Sequence, residues 1–402
     1  MIDTVDTIFR QLSRDIPEVS FRMRLWDGSE RRYGTGEERF LLTIASPETL
    51  TDVLTRGSLG FGEAYMDGRV EVEGDLQSLV RFAFHPAVRD LHLRPRDKAK
   101  ILAMYARHRN SLKKAKENIS HHYDLGNDFY RLWLDESMTY SCAYWGEGCA
   151  GLEQAQQAKY DHICRKLHLA EGERLVDIGC GWGGMLRHAA IHYGVEGVGY
   201  TLSEEQYTYA NQRFREEGLY PRVRVELRDY REAAGTFDKF VSIGMFEHVG
   251  KEYYGEFFAK TAALLESGGL GVLHTIGKDR EGETDPWIAK YIFPGGYLPT
   301  LAQIALPLGE QDLCVTDVEN LRLHYARTLD AWIERFEARV DEVRARFDER
   351  FVRMWRFYLN ASAAGFKWGG TRVFQVTFSK GNRSDLPLTR AHLYAERVGV
   401  HD

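Results

Sequence analysis

Residues 174–184 read RLVDIGCGWGG and form the most informative motif of the chain. A short apolar run ends at Asp177, and glycines then stand at positions 179, 181, 183 and 184, ahead of a segment with helical apolar spacing. A strand, a glycine turn and a helix in this order can bind a nucleotide, because glycine lets the backbone turn tightly and come close to a ligand. The spacing differs from the G-x-G-x-x-G of dinucleotide sites, and no G-K-S/T follows to hold a triphosphate.

An acidic residue two positions before the first glycine, as Asp177 is before Gly179, resembles the S-adenosylmethionine (SAM) site of Rossmann-like methyltransferases. The alternative is an ordinary tight turn between a strand and a helix. Many of these enzymes end the next strand with an acidic residue that holds the ribose hydroxyls, whereas this chain has Thr201 there and Gln206 in the following helix. The resemblance therefore implies that Thr201 and Gln206 bind the ribose, while Asp177, Gly179 and Gly181 lie at the glycine turn.

Alternating strand and helix patterns run through residues 121–402 and predict an α/β domain with a mainly parallel sheet covered by helices on both faces. Ligands of such sheets bind outside the carboxyl ends of the strands. The residues that end the predicted strands are therefore candidates for a site: Asp177, Thr201, Asp229, Ile243 and His274. Residues 1–85 mix short strands with helices and predict a small α+β domain, which we associate with lipid, membrane or dimer contacts.

Residues 86–120 differ in composition from both flanking regions and predict a basic helical linker. Between positions 89 and 116, ten Lys or Arg and two Asp give a local net charge of +8, and apolar residues interrupt the charges at helical spacing. One interpretation is a solvated helix between domains. The other is an amphipathic segment that contacts anionic lipid headgroups.

Composition indicates an intracellular enzyme of two or three domains. The 402 residues include 44% hydrophobic residues, enough for a sizeable core, and the net charge of −6 argues against general nucleic-acid binding. The five cysteines, at positions 142, 149, 164, 180 and 314, lack disulfide or zinc-finger spacing, so we expect reduced thiols, no metal and a cytoplasmic location. We find neither the apolar stretch of a signal peptide nor a run long enough to span a membrane.

Seven further motifs decide among the methyltransferases. They are HHYDLGNDFYRLWLDESMTYSCAYW at 121–145, YTLSEEQ at 200–206, SIGMFEHVG at 242–250, LHTIG at 273–277, DPWIAKYIFPGGYLP at 285–299, HYARTL at 324–329 and YLNASAAGF at 358–366. This set, in this order, strongly resembles the cyclopropane-fatty-acyl-phospholipid synthases, and the resemblance extends over residues 55–382. The fold that it implies is a Rossmann-like class I SAM-dependent methyltransferase domain preceded by the small α+β domain.

The resemblance also implies a reaction and a base. Members of this family move the SAM methyl group onto a cis double bond of an acyl chain and then remove a proton to close a three-membered ring. A bound bicarbonate ion is the family's base, and water must be excluded because it would trap the intermediate cation. Carried over motif by motif, the residues that hold the bicarbonate are Cys142, Glu247, His274, the backbone amide of Ile276, and Tyr325.

Three of these residues have an assigned role, and each of the four side chains has a structural alternative. We expect His274 to donate to the anion, Tyr325 to donate and to form an aromatic wall, and Glu247 to orient and accept. Taken singly, Cys142 could be a buried apolar residue, and the other side chains could serve only in packing or pairing. For SAM, the resemblance adds Tyr140, Ser141 and Ile243, together with Asp229 and Tyr230, where Tyr230 replaces a tryptophan found in many relatives.

A long apolar stripe from Trp332 to Tyr358 predicts one helix of about seven turns. Packing against the sheet is the favoured interpretation. Alternatively, part of this helix, with residues 291–294 and 301–308, lines an acyl tunnel, and residues 278–325 form a lid inserted over it.

The sequence thus predicts a cyclopropane fatty acid synthase that acts on unsaturated phospholipids as a peripheral protein at the inner membrane face. A relative that forms methylene- or methyl-branched chains from the same cation is the nearest alternative. A soluble methyltransferase for a small metabolite and a non-catalytic lipid-binding protein are more distant ones. A homodimer is compatible with the sequence, which does not define the oligomeric state.

Overall fold

The computed structural model describes residues 2–89 and 125–394, which separate into two compact units. Within the described ranges, the first unit comprises residues 2–89, 282–296 and 326–371, and the second comprises residues 125–281, 297–325 and 372–394. Residues 90–116 of the basic segment lie outside the described residues, as do residues 121–124 of the first family motif. The three-region division and the lid therefore stay predictions.

A four-stranded sheet forms the centre of the first unit. Its strands are β1 (Ser20–Arg24), β2 (Glu30–Tyr33), β3 (Glu38–Ile44) and β4 (Val70–Gly74), in the order β2-β1-β3-β4. Apolar and polar side chains alternate along β1 and β4, which bury one face, whereas β3 buries the consecutive residues Phe40, Leu41 and Leu42. On that face the rings of Phe21 and Phe40 stack with centroids 4.7 Å apart.

Helices complete the first unit. They are Ile2–Asp15, Pro47–Met66, which is interrupted at Gly57, Leu76–Arg81, Pro86–Arg89, Pro286–Tyr291, Val340–Arg346 and Glu349–Trp368, together with the part of Arg322–Ala338 that follows residue 325. The prediction of a single seven-turn helix from the apolar stripe is wrong. The chain forms three helices there. The first two are separated at Arg339, which leaves the helical conformation. The second and third are separated where Phe347 is extended and the Asp348 carboxylate accepts from the backbone N–H of Phe351 at 2.8 Å, which starts a new helix.

A seven-stranded sheet organises the second unit, in the order β10-β11-β9-β8-β5-β6-β7. The strands are β5 (Arg174–Ile178), β6 (Glu196–Thr201), β7 (Val223–Leu227), β8 (Phe237–Ile243), β9 (Leu265–Lys278), β10 (Leu313–Asn320) and β11 (Thr371–Lys380). The neighbouring pairs among β5 to β9 are parallel, and β10 pairs antiparallel with β11. The predicted α/β architecture with a mainly parallel sheet is confirmed.

Helices cover both faces of this sheet. They are Asn127–Tyr130, Leu152–Lys166, Gly184–Tyr193, Glu204–Glu216, Tyr254–Leu264, Leu301–Gly309 and Ala391–Tyr394. Adjacent residues of β8 illustrate the two layers, since the ring of Phe240 contacts that of Phe257 on one face, while Val241 belongs to the separate apolar cluster on the other. In the described ranges, no helix is both long and apolar enough to cross a membrane.

Candidate active site

A cavity opens at the carboxyl ends of the parallel strands of the second unit. Every residue predicted to bind the cofactor lines this one cavity: Tyr140, Ser141, Asp177, Gly179, Gly181, Thr201, Gln206, Asp229, Tyr230 and Ile243. They come together because β5, β6 and β8 run parallel and end at the same edge. Their individual roles toward a cofactor stay predictions.

The glycine turn needs glycine for two separate reasons. Gly179 and Gly181 both have positive φ, +78° and +56°, a region that L-residues with a Cβ rarely adopt. A Cβ at Gly179 would lie 2.4 Å from the Cβ of Met245, whereas a Cβ at Gly181 would meet no protein atom within 4 Å. Position 181 therefore leaves open space at the cavity, as a turn that approaches a ligand requires.

Two buried ionisable groups, Asp177 and Lys159, face the same cavity. Burial raises the pKa of Asp177 to about 7, although the charge of Lys159 opposes the shift. Its Oδ1 has no hydrogen-bond partner within the described part of the chain. Burial likewise lowers the pKa of Lys159 to about 7, and its Nζ donates to the Ser141 hydroxyl at 3.0 Å. A carboxylate with a free oxygen suits a cationic ligand.

Sequence reasoning missed Lys159. The signal was its position, because it lies on the buried face of helix Leu152–Lys166 with Ala155, Gln156 and Ile163, where an apolar residue is expected. The contact with Ser141 gives this charge a place in the site.

The side of the cavity formed by β6 and β7 is also fixed by hydrogen bonds. The Thr201 hydroxyl donates to Gln206 Oε1 at 2.7 Å, which orients the Gln206 amide. The Asp229 carboxylate accepts from the backbone N–H of Arg231 at 2.9 Å. The ring of Tyr230 packs edge-on against Phe257 with centroids 5.5 Å apart. These contacts orient an amide, a carboxylate and an aromatic ring on this side of the cavity.

The residues of the predicted anion site also lie in the second unit, and two of them are in direct contact. Glu247 follows the end of β8, and its Oε1 accepts from the backbone N–H of Ile276, on β9, at 2.5 Å. Its Oε2 is buried and has no hydrogen-bond partner among the described residues. Burial raises the pKa of Glu247 to about 7, and the bond from Ile276 opposes this shift.

Cys142 and Tyr325 are brought to one backbone carbonyl. The carbonyl oxygen of Leu321 lies 3.9 Å from Cys142 Sγ and accepts from the backbone N–H of Tyr325 at 3.1 Å. Cys142 is fully buried, which raises the pKa of its thiol, so the group stays S–H at neutral pH. It is therefore a weak donor and not a thiolate nucleophile.

His274 lies on β9 next to the end of β8, where its carbonyl oxygen accepts from the backbone N–H of Gly244 at 2.9 Å. Burial lowers the pKa of His274 well below the usual range, and nearby Lys159 and Lys166 act in the same direction, so the imidazole is neutral. Its Nδ1 lies 3.0 Å from Nε2 of Gln375, a buried residue that sequence reasoning also missed. The predicted site thus contains a neutral thiol, a neutral imidazole and one carboxylate oxygen without a partner among the described residues, whereas the predicted Ile276 amide is already bonded to Glu247.

Comparison with known proteins gives two matches to sequence profiles. The sequence profile of the family described as mycolic acid cyclopropane synthetase matches residues 110–376, and that of a domain of unknown function matches residues 8–92. The chain is 41% identical over 350 residues to the cyclopropane-fatty-acyl-phospholipid synthase of Escherichia coli strain K12, covering 87% of this chain and 90% of that protein.

Two further proteins are similar to this chain. A Pseudomonas putida protein named "Probable fatty acid methyltransferase" is 38% identical over 390 residues, covering 94% of this chain and 96% of that protein. The crystal structure of mycolic acid cyclopropane synthase CmaA1 in complex with SAH and CTAB aligns with a TM-score of 0.63 and 35% identity, over 66% of this chain and 98% of that one.

Proposed function

The chain belongs to the mycolic acid cyclopropane synthetase family of SAM-dependent methyltransferases, and we propose that it is a cyclopropane fatty acid synthase acting on unsaturated acyl chains of membrane phospholipids. The family and the methyltransferase fold predicted from the motifs are confirmed by these similarities. The substrate class rests on the name of the Escherichia coli relative and on the residues of the site.

The cavity at the glycine turn fits the cofactor. SAM supplies an electrophilic methyl group when bound. The open space at Gly181 would admit its amino acid part, and the free Oδ1 of Asp177 suits a cationic group nearby. Thr201 and Gln206 would hold the ribose, and Tyr230 would offer its ring to the adenine. The SAH in the CmaA1 structure supports this use of the fold.

We further propose that Cys142, Glu247, His274 and Tyr325 hold a bicarbonate ion, which would supply the base for ring closure. The Ile276 amide, which the resemblance also assigns to this ion, donates to Glu247 instead. The observation that carries this proposal is the carboxyl group of Glu247. One of its oxygens is fixed by the Ile276 N–H, and the other is buried without a partner among the described residues. A buried acceptor of this kind is costly unless a ligand satisfies it, and the O–H of a bicarbonate would do so.

The remaining residues suit an anion that must stay dry. Cys142 and His274 are 0% and 2% exposed, so bulk water does not reach them freely. A neutral thiol and a neutral imidazole can donate hydrogen bonds without neutralising the base. Tyr325 would add a hydroxyl donor, and its ring would face a developing cation.

An interfacial location follows from the proposed substrate. We propose that the basic segment at 89–116 attracts anionic headgroups and holds the protein peripherally at the inner membrane face. A branched-chain fatty acid methyltransferase is the second candidate, because the Pseudomonas putida relative is named for methyl transfer alone. The bicarbonate site favours ring closure over that outcome.

The test uses enzyme prepared in carbonate-free buffer. Bicarbonate should stimulate the wild-type enzyme, and Glu247→Gln should lower turnover roughly a hundredfold or more, because a preorganised group of an anion site is lost. SAM affinity should stay within about threefold of wild type, a difference of less than roughly 1 kcal/mol. His274→Ala should weaken the stimulation.

The matched control is Glu252→Gln, which changes an exposed carboxylate five residues away and should leave turnover unchanged. Near-wild-type rates in both Glu247→Gln and His274→Ala, or no response to bicarbonate at any concentration, would exclude the anion base.

A further inference from the structure

Gln375 and His274 form a buried pair on neighbouring strands. Gln375 lies on β11 and His274 on β9, which are adjacent in the sheet, and the two side chains are 0% and 2% exposed. The amide Nε2 lies 3.0 Å from the imidazole Nδ1. A fully buried amide beside a fully buried imidazole has few other orientations, so this contact sets how the imidazole can hydrogen-bond.

The chemistry of the two groups defines the direction of the bond. A neutral imidazole carries one hydrogen, so one ring nitrogen donates and the other accepts. The amide nitrogen of Gln375 can only donate, and Nδ1 must therefore accept. We propose that Gln375 is a positioning residue that fixes the tautomer of His274 with its hydrogen on Nε2, so that Nε2–H donates to the bound anion. The last step rests on the proposed bicarbonate function.

The opposite tautomer would give His274 a different role. If the Gln375 carbonyl faced Nδ1, it would accept from Nδ1–H, and Nε2 would be an acceptor without a hydrogen. His274 would then act as a base and would repel an anion's lone pairs. The orientation of one buried amide therefore decides whether the histidine donates to a base or competes with it.

A cluster of charged and polar residues lies on the strand next to Gln375 and on a neighbouring helix. Gln375 pairs in register with Glu319 on β10. The Glu319 carboxylate accepts from Lys166 Nζ at 2.6 Å and lies 2.7 Å from His162 Nε2, and these contacts lower its pKa to about 2. A carboxylate that is ionised at neutral pH therefore lies opposite Gln375 in the register, while the Gln375 Oε1 has no hydrogen-bond partner among the described residues.

The direct test is to determine which tautomer His274 adopts. Protein labelled with ¹⁵N-histidine in carbonate-free buffer gives distinct long-range ¹⁵N–¹H correlations for the two tautomers, and the signals lost in His274→Gln identify His274. We expect the Nε2–H form in the wild-type protein. The Nδ1–H form in the wild type would overturn the proposal without reference to any variant of Gln375.

The variant Gln375→Glu tests whether Gln375 determines the tautomer of His274. A carboxylate at this position accepts from Nδ1–H and should move the hydrogen from Nε2 to Nδ1, and stimulation by bicarbonate should fall at least tenfold while the KM for SAM is unchanged. Thr377→Val is the matched control, because it removes a buried hydroxyl from the same face of β11. The control should keep the Nε2–H form and the full stimulation.

The outcomes separate this proposal from the bicarbonate function. Stimulation that persists in folded Gln375→Glu, or an unchanged tautomer in that variant, would contradict the role of Gln375. A wild-type protein that shows Nε2–H but no response to bicarbonate would support the tautomer assignment and exclude the anion base. Circular dichroism of each variant verifies folding, and the wild-type spectrum decides the tautomer even where a variant does not fold.

Discussion

Gly181→Ala probes the cofactor site with the least disturbance of the fold. Gly181 has φ of +56°, and a Cβ there would meet no protein atom within 4 Å. The added methyl group therefore costs the fold only the left-handed backbone conformation, about 1 kcal/mol of unfolding free energy. It would, however, enter the cavity that we assign to SAM. We expect SAM affinity to fall at least tenfold, about 1.4 kcal/mol.

Gly218→Ala is the matched control. Gly218 also has positive φ, +69°, and a Cβ there would likewise meet nothing within 4 Å, but the residue is exposed and does not line the cavity. Both variants should lose about 1 kcal/mol in urea unfolding. Only Gly181→Ala should bind SAM more weakly in titration calorimetry. Equal SAM affinity in the two variants would show that the glycine turn does not contact the cofactor.

Three further predictions concern charge. Burial raises the pKa of Glu247 to about 7, and because the proposed acceptor is the carboxylate, turnover at fixed bicarbonate should rise with pH through about 7; a Glu247→Gln profile with the same limb would contradict this. The folded chain releases the Lys159 proton near pH 7, while the unfolded chain keeps it to about pH 10.5, so the unfolding free energy of the wild-type protein should rise with pH across that window. Urea titrations should show a smaller rise in Lys159→Met. An equal rise of the unfolding free energy in both proteins would refute the lowered pKa of Lys159. Replacing Lys113, Lys114 and Lys116 with Gln should weaken sedimentation with anionic vesicles by about 1 kcal/mol per charge, less at high salt, unless the segment is only a linker.

The sequence predicts the parallel sheet and which strand-ending residues gather around one cavity. Strand-ending residues gather at one edge of any such sheet, so Asp177, Thr201 and Ile243 could be placed together from their patterns alone. The prediction of one long helix failed because the apolar spacing continues on both sides of Asp348. The hydrogen bond with which the Asp348 side chain starts a new helix leaves no trace in that spacing.

Contacts between distant strands could not be predicted. The bond from Ile276 to Glu247 depends on how β9 extends beyond the end of β8. The pairing of Gln375 with His274 requires β11 to lie beside β9, although about a hundred residues separate these positions in the chain. Strand order depends on the packing of the whole sheet, and the apolar periodicity of a single strand carries no information about that order.

The central claim is ring closure on an unsaturated acyl chain, and product analysis tests it most directly. Purified enzyme is incubated with SAM and vesicles of mixed unsaturated phospholipids, and the acyl chains are then examined by mass spectrometry and proton NMR. We predict chains that gain one CH2, lose their alkene signals and show upfield cyclopropane protons. Exomethylene or branched-methyl signals, or unaltered acyl chains, would contradict the account.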